Sequence, residues 1–280
     1  VLWGFTAVLG KLITLASLPL VMWRMLLAST ILGILAYATH KLSVTFKDGI
    51  MLMSLGVLLA LHWISFYASV KAANASVAVV CISISSLFVA IFSPIIYNER
   101  FRKSHLFLGI LMLIGIVVIF GTLDRNYKIG LYYGILASFL VSIFSILNKS
   151  LAGRLHPYTI VFWEMIGGFI FLFIILILNN LLYKNISTSL NVNEMPYFVF
   201  FVIFCTVIPL VISTAALKQL SAFVSVFLVN LEPIYGMILA AWFLNENQQL
   251  TDRFYYGSGI ILSGIFIQIW WERRLSPSKA

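Results

Sequence analysis

The sequence predicts an all-α integral membrane protein, with ten transmembrane helices forming two inverted five-helix repeats around a central cavity. Three observations predict it. The 280 residues are 62% hydrophobic and only 10% charged, with a mean hydropathy of +1.05, which leaves too few charges to clothe a soluble fold of this size. Apolar runs of about 20 residues, the length of helix that crosses ~30 Å of hydrocarbon, recur along the whole chain. Residues of the first half also reappear in the second at a nearly constant spacing.

The first five runs are Trp3–Ala16, Leu20–Thr39, Gly49–Val70, Val77–Tyr97 and Leu106–Gly121. The second five are Gly130–Leu147, Tyr158–Leu178, Tyr197–Leu217, Phe223–Leu244 and Tyr255–Trp271. The two repeats are expected to occupy residues 1–124 and 125–280. The longest linker, Tyr183 to Met195, reads as a polar surface loop rather than a domain. The first run leads straight into further spans, so no cleavable signal peptide is expected, and a chain starting at Val1 implies that residues precede it.

A net charge of +9 and a pI near 9.6 suit nucleic acid in a soluble domain. Here the basic residues sit at the ends of apolar runs, which is a topology signal, and no nucleic-acid partner is expected. The side bearing the loops after spans 2, 4, 6 and 8 and the C-terminal tail carries eleven basic residues: Lys41, Lys47, Arg100, Arg102, Lys103, Lys149, Arg154, Lys218, Arg273, Arg274 and Lys279. The other side carries five, Lys71, Arg125, Lys128, Lys184 and Arg253, so both termini are expected in the cytoplasm. Cys81 and Cys205 lie inside apolar runs without metal-type spacing and read as small buried hydrophobes.

An offset of 147 lays Lys71 on Lys218, Glu99 on Glu246, Ser86 on Pro233 and His62 on Pro209. An offset of 138 lays Lys11 on Lys149 and Pro19 on Pro157, and an offset of 140 lays Trp23–Met25 on Trp163–Met165. An odd number of spans per half inverts the second half relative to the first, an architecture of secondary transporters with the binding site between the halves.

These residues resemble the drug/metabolite transporter superfamily, specifically its EamA-type ten-helix members. The resemblance rests on Trp3-Gly4-Phe5 opening the first span, Arg24 in the second, and Pro233 followed by Glu246, Gly257 and Gly264. Glu99, Gly109 and Gly115 take the equivalent places in the first repeat. Ser86 departs from the proline frequent in that family, so the two halves need not bend alike. The resemblance implies export or exchange of small metabolites across a bacterial inner membrane, through a cavity lined by the first four helices of each repeat.

Glu232 stands near the middle of span 9, where an ionised carboxylate facing lipid would cost about 2.5–3.5 kcal/mol or more, so it is expected to face the interior. Helical spacing gathers Ser225, Glu232, Tyr235 and Gly236 on one face, beside Asn230. Pro233 removes a backbone donor and, with Pro209 and Gly236, is a candidate hinge. A structural carboxylate paired with a buried base is the competing reading.

Ser138, Ser142, Ser145 and Lys149 form a stripe on span 6, read either as close helix packing or as a polar wall. Lys149 snorkels, whereas Lys11 snorkels or reaches inward. Arg24 and its repeat-mate Glu164 are gates or structural pairs. His62 is a packing or pocket residue, with Trp63, Tyr67 and Trp163 as pocket aromatics. Glu99 and Glu246 read as structural residues at helix ends, and spans 5 and 10 as lying outside the cavity or in a dimer contact.

The expected function is secondary-active transport of a small polar solute, amino-acid-like by its need for both signs of charge, by alternating access. Glu232 would hold the positive group or a coupling proton, and Lys11 or Arg24 the negative group. Efflux of lipophilic cations is the alternative, and a membrane-embedded enzyme comes last, since no nucleophile–base motif or phosphate loop is present. No cofactor or metal is expected. The expected partners are the solute, protons and the lipid bilayer, with the chain a monomer or homodimer.

Overall fold

The computed structural model describes residues 2–120, 125–182, 186–229, 231–248 and 250–275. Among them the regular structure is all helical, without a strand. Helices α1 (Gly4–Leu12), α2 (Ser17–Ala38) and α3 (Phe46–Ala72) are followed by a broken span, α4 (Ala75–Ile82) and α5 (Ser85–Tyr97), and by α6 (Lys103–Phe120). Then come α7 (Arg125–Ala152), α8 (Pro157–Leu182), α9 (Met195–Val202), a π-helical turn (Ile203–Val207) and α10 (Ile208–Ala216). A second broken span, α11 (Ala222–Val229) and α12 (Glu232–Leu244), precedes α13 (Asp252–Leu275).

Among the described residues six stretches are long and apolar enough to cross a membrane: Ser17–Ala38, Phe46–Ala72, Ala75–Tyr97, Tyr127–Ala152, Pro157–Leu182 and Val192–Ala216. Lys103–Ile119 and Glu232–Leu244 are shorter apolar helices. This is a multi-pass membrane protein.

The two broken spans match residue for residue. α4 and α11 each have eight residues and α5 and α12 thirteen, and an offset of 147 converts one pair of bounds into the other. Their caps match as well. Asn74 Oδ1 accepts from Val77 N–H at 2.8 Å, and Ser221 Oγ accepts from Val224 N–H at 3.2 Å. Asn98 and Asn245 end α5 and α12 in the left-handed region, with φ of 53° and 52°, which asparagine tolerates better than most residues.

Ser86 left the two halves free to bend differently; α4–α5 breaks without a proline at that position, where α12 carries Pro233. Two hydroxyls of α7 meet the interruption: Ser138 donates to the Cys81 carbonyl at 2.6 Å and Ser142 to the Ser85 carbonyl at 2.9 Å, each hydrogen shared with a carbonyl of α7 itself, and the Cys81 oxygen also accepts the Ile84 N–H at 3.1 Å.

Close helix crossings are set by glycine. A Cβ on Gly56 would stand 2.0 Å from the Glu164 carbonyl oxygen, so only glycine lets α3 touch α8. Gly115 and Gly257 bring α6 against α13 in the same way: a Cβ on either would lie 2.7 or 2.5 Å from the other's carbonyl oxygen.

The connecting turns gather at two ends. At the Glu246 end, Glu194 accepts from the Thr14 N–H at 3.2 Å and hydroxyl at 2.9 Å, and Lys71 Nζ donates to the Ile13 carbonyl at 3.1 Å. At the Glu99 end, Arg154 pairs with Asp48 at 3.0 Å, Trp163 Nε1 donates to the Leu42 carbonyl at 3.2 Å and the Tyr97 hydroxyl to the Ile146 carbonyl at 2.6 Å.

Candidate cavity site

A cavity of about 870 Å³, counting the space at its mouth, opens between α1, α2, α3, α4–α5, α7, α10, α11 and α12. Among the described residues none of its lining comes from α6 or α13, which pack on one another. α8 contributes no lining residue either, and stands behind α2 and α3 instead. Below the helix breaks the wall is made by Ser145, Asn148, Ser213, Leu217 and Ser225, all toward the Glu99 end.

Arg24 reaches the cavity from α2 and is nonetheless almost wholly buried. Its Nε donates to Thr206 Oγ1 at 2.6 Å, Nη1 to the Tyr67 hydroxyl at 2.8 Å and Nη2 to the Cys205 carbonyl at 3.0 Å. Trp63 and Phe201 cover the guanidinium, with ring centroids 3.7 and 4.4 Å from its carbon. The sequence explains the carbonyl. Pro209 has no N–H for the oxygen four residues back, Cys205, and the π-helical turn turns that oxygen and the Thr206 hydroxyl toward α2. A planar, permanently charged fork fills the gap.

Glu232 opens the first turn of α12, next to Pro233, and lines the cavity half-buried. Its carboxylate accepts from the Thr6 hydroxyl at 3.5 Å, a long contact, and no basic side chain among the described residues lies within ion-pair distance. The competing reading, a carboxylate paired with a buried base, finds no such pair among the described residues. The proline is placed by the break: it takes an early α12 position, where its missing N–H costs no helical bond.

His62 lines the same cavity, and its Nδ1 meets the Ala137 carbonyl at 2.8 Å. That carbonyl accepts, so Nδ1 holds the hydrogen and Nε2 of the neutral ring is left as an acceptor. Behind the lining, Glu164 is fully buried. Asn148 Nδ2 donates to its Oε1 at 2.8 Å, while Glu164 Oε2 and Asn148 Oδ1 have no hydrogen-bond partner.

Of the residues expected from sequence, the fold brings Arg24, His62, Trp63, Tyr67 and Glu232 together in one cavity. Glu164 reaches it through Asn148. Lys11 does not join them: it is exposed, and its Nζ meets the Val70 carbonyl at 3.4 Å. Lys149 does the same to the Leu217 carbonyl, the matching pair at offsets of 138 and 147. Trp163 ties α8 to the loop before α3. Tyr235 is exposed on α12 and packs its Cβ beside Gly4, and Gly236 sits against Val79. Pro209 is half-buried, and Asn230 lies outside the described residues. Thr6, Asn148 and Phe201 were missed. Only Asn148 had a signal, one residue before Lys149 and three after Ser145 on the polar stripe.

A polytopic helical membrane protein with a charged, aromatic-walled internal cavity is the class that this fold and site define. The sequence matches the EamA-like transporter family over residues 1–121 and again over 128–270, and the chain belongs to that family. A protein of Archaeoglobus fulgidus described as an uncharacterized transporter is 26% identical over 204 residues, covering 73% of this chain and 69% of that one. A solved crystal structure, described only as that of a protein, superposes with a TM-score of 0.71 at 15% identity over 99% of this chain and 95% of its own, a likeness of fold alone.

Proposed function

We propose that the chain is a secondary-active transporter working by alternating access on a small polar solute with a protonated amino group, amino-acid-like in the first instance. Residues 1–124 and 125–280 act as two inverted five-helix halves, with both termini in the cytoplasm of a bacterial inner membrane. The matched bounds and caps of the two broken spans support the two-half reading, and the excess of basic residues at the Glu99 end supports the orientation. The observation that carries the substrate reading is the contrast between two charges. Arg24 gives three of its five N–H groups to protein partners and is stacked between aromatic rings, whereas Glu232 has one long contact to a hydroxyl. The charge available to a solute is therefore negative. Glu232 also serves as the candidate carrier of a coupling proton. Uptake into proteoliposomes tests this: Glu232→Gln abolishes transport of amine-bearing solutes, and unchanged uptake overturns the assignment.

Efflux of lipophilic cations is a second reading of the same site, favoured by Trp3, Trp63, Phe66 and Phe144 in its walls. A panel of one zwitterion, one lipophilic cation and one anion separates the two.

A further inference from the structure

Glu246 sits one residue beyond the left-handed Asn245 and binds the first turn of α4. It accepts from the Ala75 N–H at 2.9 Å, the Ser76 N–H at 2.9 Å and the Ser76 hydroxyl at 2.7 Å, and is itself buried. A carboxylate from beyond the second broken span thus fastens the start of the first one. Charge-assisted bonds to helix-end amides are among the stronger ones a protein makes.

Glu99 occupies the same place in the other half, one residue beyond the left-handed Asn98, and it is exposed. The offset of 147 that relates the two acids also carries Ala75 and Ser76 onto Ala222 and Phe223, the first residues of α11. That helix start already stands beside the turn holding Glu99, because the ring of His105 in α6 stacks on Phe223 with centroids 3.6 Å apart. At this end the acid is undocked, and toward this end the cavity wall extends.

Building on the transport reading above, we propose that Glu99 and Glu246 are paired gate residues that dock in alternation. With Glu246 on the amides of α4, the Glu246 end is shut. When the halves exchange roles, Glu246 leaves α4 and Glu99 accepts from the Ala222 and Phe223 amides, shutting the Glu99 end. Each carboxylate is the latch of one mouth, and the solute passes between two exclusive latched states.

Spin labels on Arg102→Cys and Gln219→Cys, two exposed sites flanking the Glu99 mouth, read the distance across it in the full-length protein in lipid. The unsubstituted gate gives a long-distance population, this structure, and a short-distance one. Glu99→Gln depletes the short population by about tenfold, the size expected for losing charge-assisted bonds in one state alone. Glu246→Gln enriches it by a similar factor. Since Glu99 is exposed here, Glu99→Gln leaves the fold of this state intact, which keeps the test decisive even if Glu246→Gln unfolds. A distance distribution that Glu99→Gln leaves unchanged overturns the latch. No solute is needed, so the outcome is separable from transport: distances that respond in a chain that moves nothing uphold the latch and remove the transport reading.

Discussion

Arg24 and Glu232 line one cavity and do not pair: the guanidinium is spent on Thr206, Tyr67 and the Cys205 carbonyl, and the carboxylate meets Thr6. Opposite charges in an apolar bundle attract strongly, so keeping them apart takes positive work elsewhere, here the π-helical turn that offers Arg24 better geometry. Arg24 is then a part of the frame. Arg24→Lys, which cannot span three acceptors, is expected to lower the unfolding temperature in detergent by the loss of about 1.5–3 kcal/mol. Thr206→Val should cost a similar amount. A variant Arg24→Lys that melts normally and loses solute binding would move the residue from frame to substrate contact.

Glu164 is expected to accept glutamine. Asn148 Nδ2 keeps an oxygen to donate to, and the new amide N–H supplies a donor where Glu164 Oε2 and Asn148 Oδ1 now both lack a partner. Glu164→Gln therefore melts at or above the parent temperature, whereas Glu164→Leu, which strands the Asn148 amide, loses about 1–3 kcal/mol. Destabilisation by Glu164→Gln would mean that the acid holds something the amide cannot.

Gly56→Ala is expected to be among the most damaging single methyl additions in the chain. Its Cβ would meet the Glu164 backbone oxygen at 2.0 Å, forcing α3 from α8 at a cost of about 3 kcal/mol. Gly264→Ala, whose nearest neighbour would lie 3.4 Å away on a leucine side chain, is the control and should be silent in the same melting experiment.

Removing the hydroxyls at the α4–α5 break tests what holds it open. Ser138→Ala and Ser142→Ala should each cost about 1 kcal/mol, read by thermal unfolding, by removing the side-chain donor to the Cys81 or Ser85 carbonyl. Hydrogen exchange at residues 82–87 should rise in the double variant. Equal protection with and without the serines would mean that the break is intrinsic to the segment.

Much of this was legible in the sequence. Apolar runs and the spacing of Lys71 from Lys218 and of Glu99 from Glu246 foretold where helices fall, and the same offset of 147 governs the broken spans to the residue. The break in the first half was not legible, because no proline marks it and the hydroxyls that meet it, Ser138 and Ser142, sit on a helix 57 positions away. Arg24 and Pro209 were each visible, but a freed carbonyl and the side chain that takes it meet only after folding. Of the two readings of Lys11 the fold has the outward one, since its long stem carries the ammonium to a helix-end carbonyl, a choice the sequence alone leaves open.

The two broken spans agree in their bounds, but Ser76, whose hydroxyl adds a third bond to Glu246, is matched by Phe223 at the corresponding position. On the transport and latch readings proposed above, the chain emptied of cargo settles with the better-fastened side closed, and half-saturation concentrations measured from the two faces of the bilayer differ, even though detailed balance forbids net flow between equal solutions.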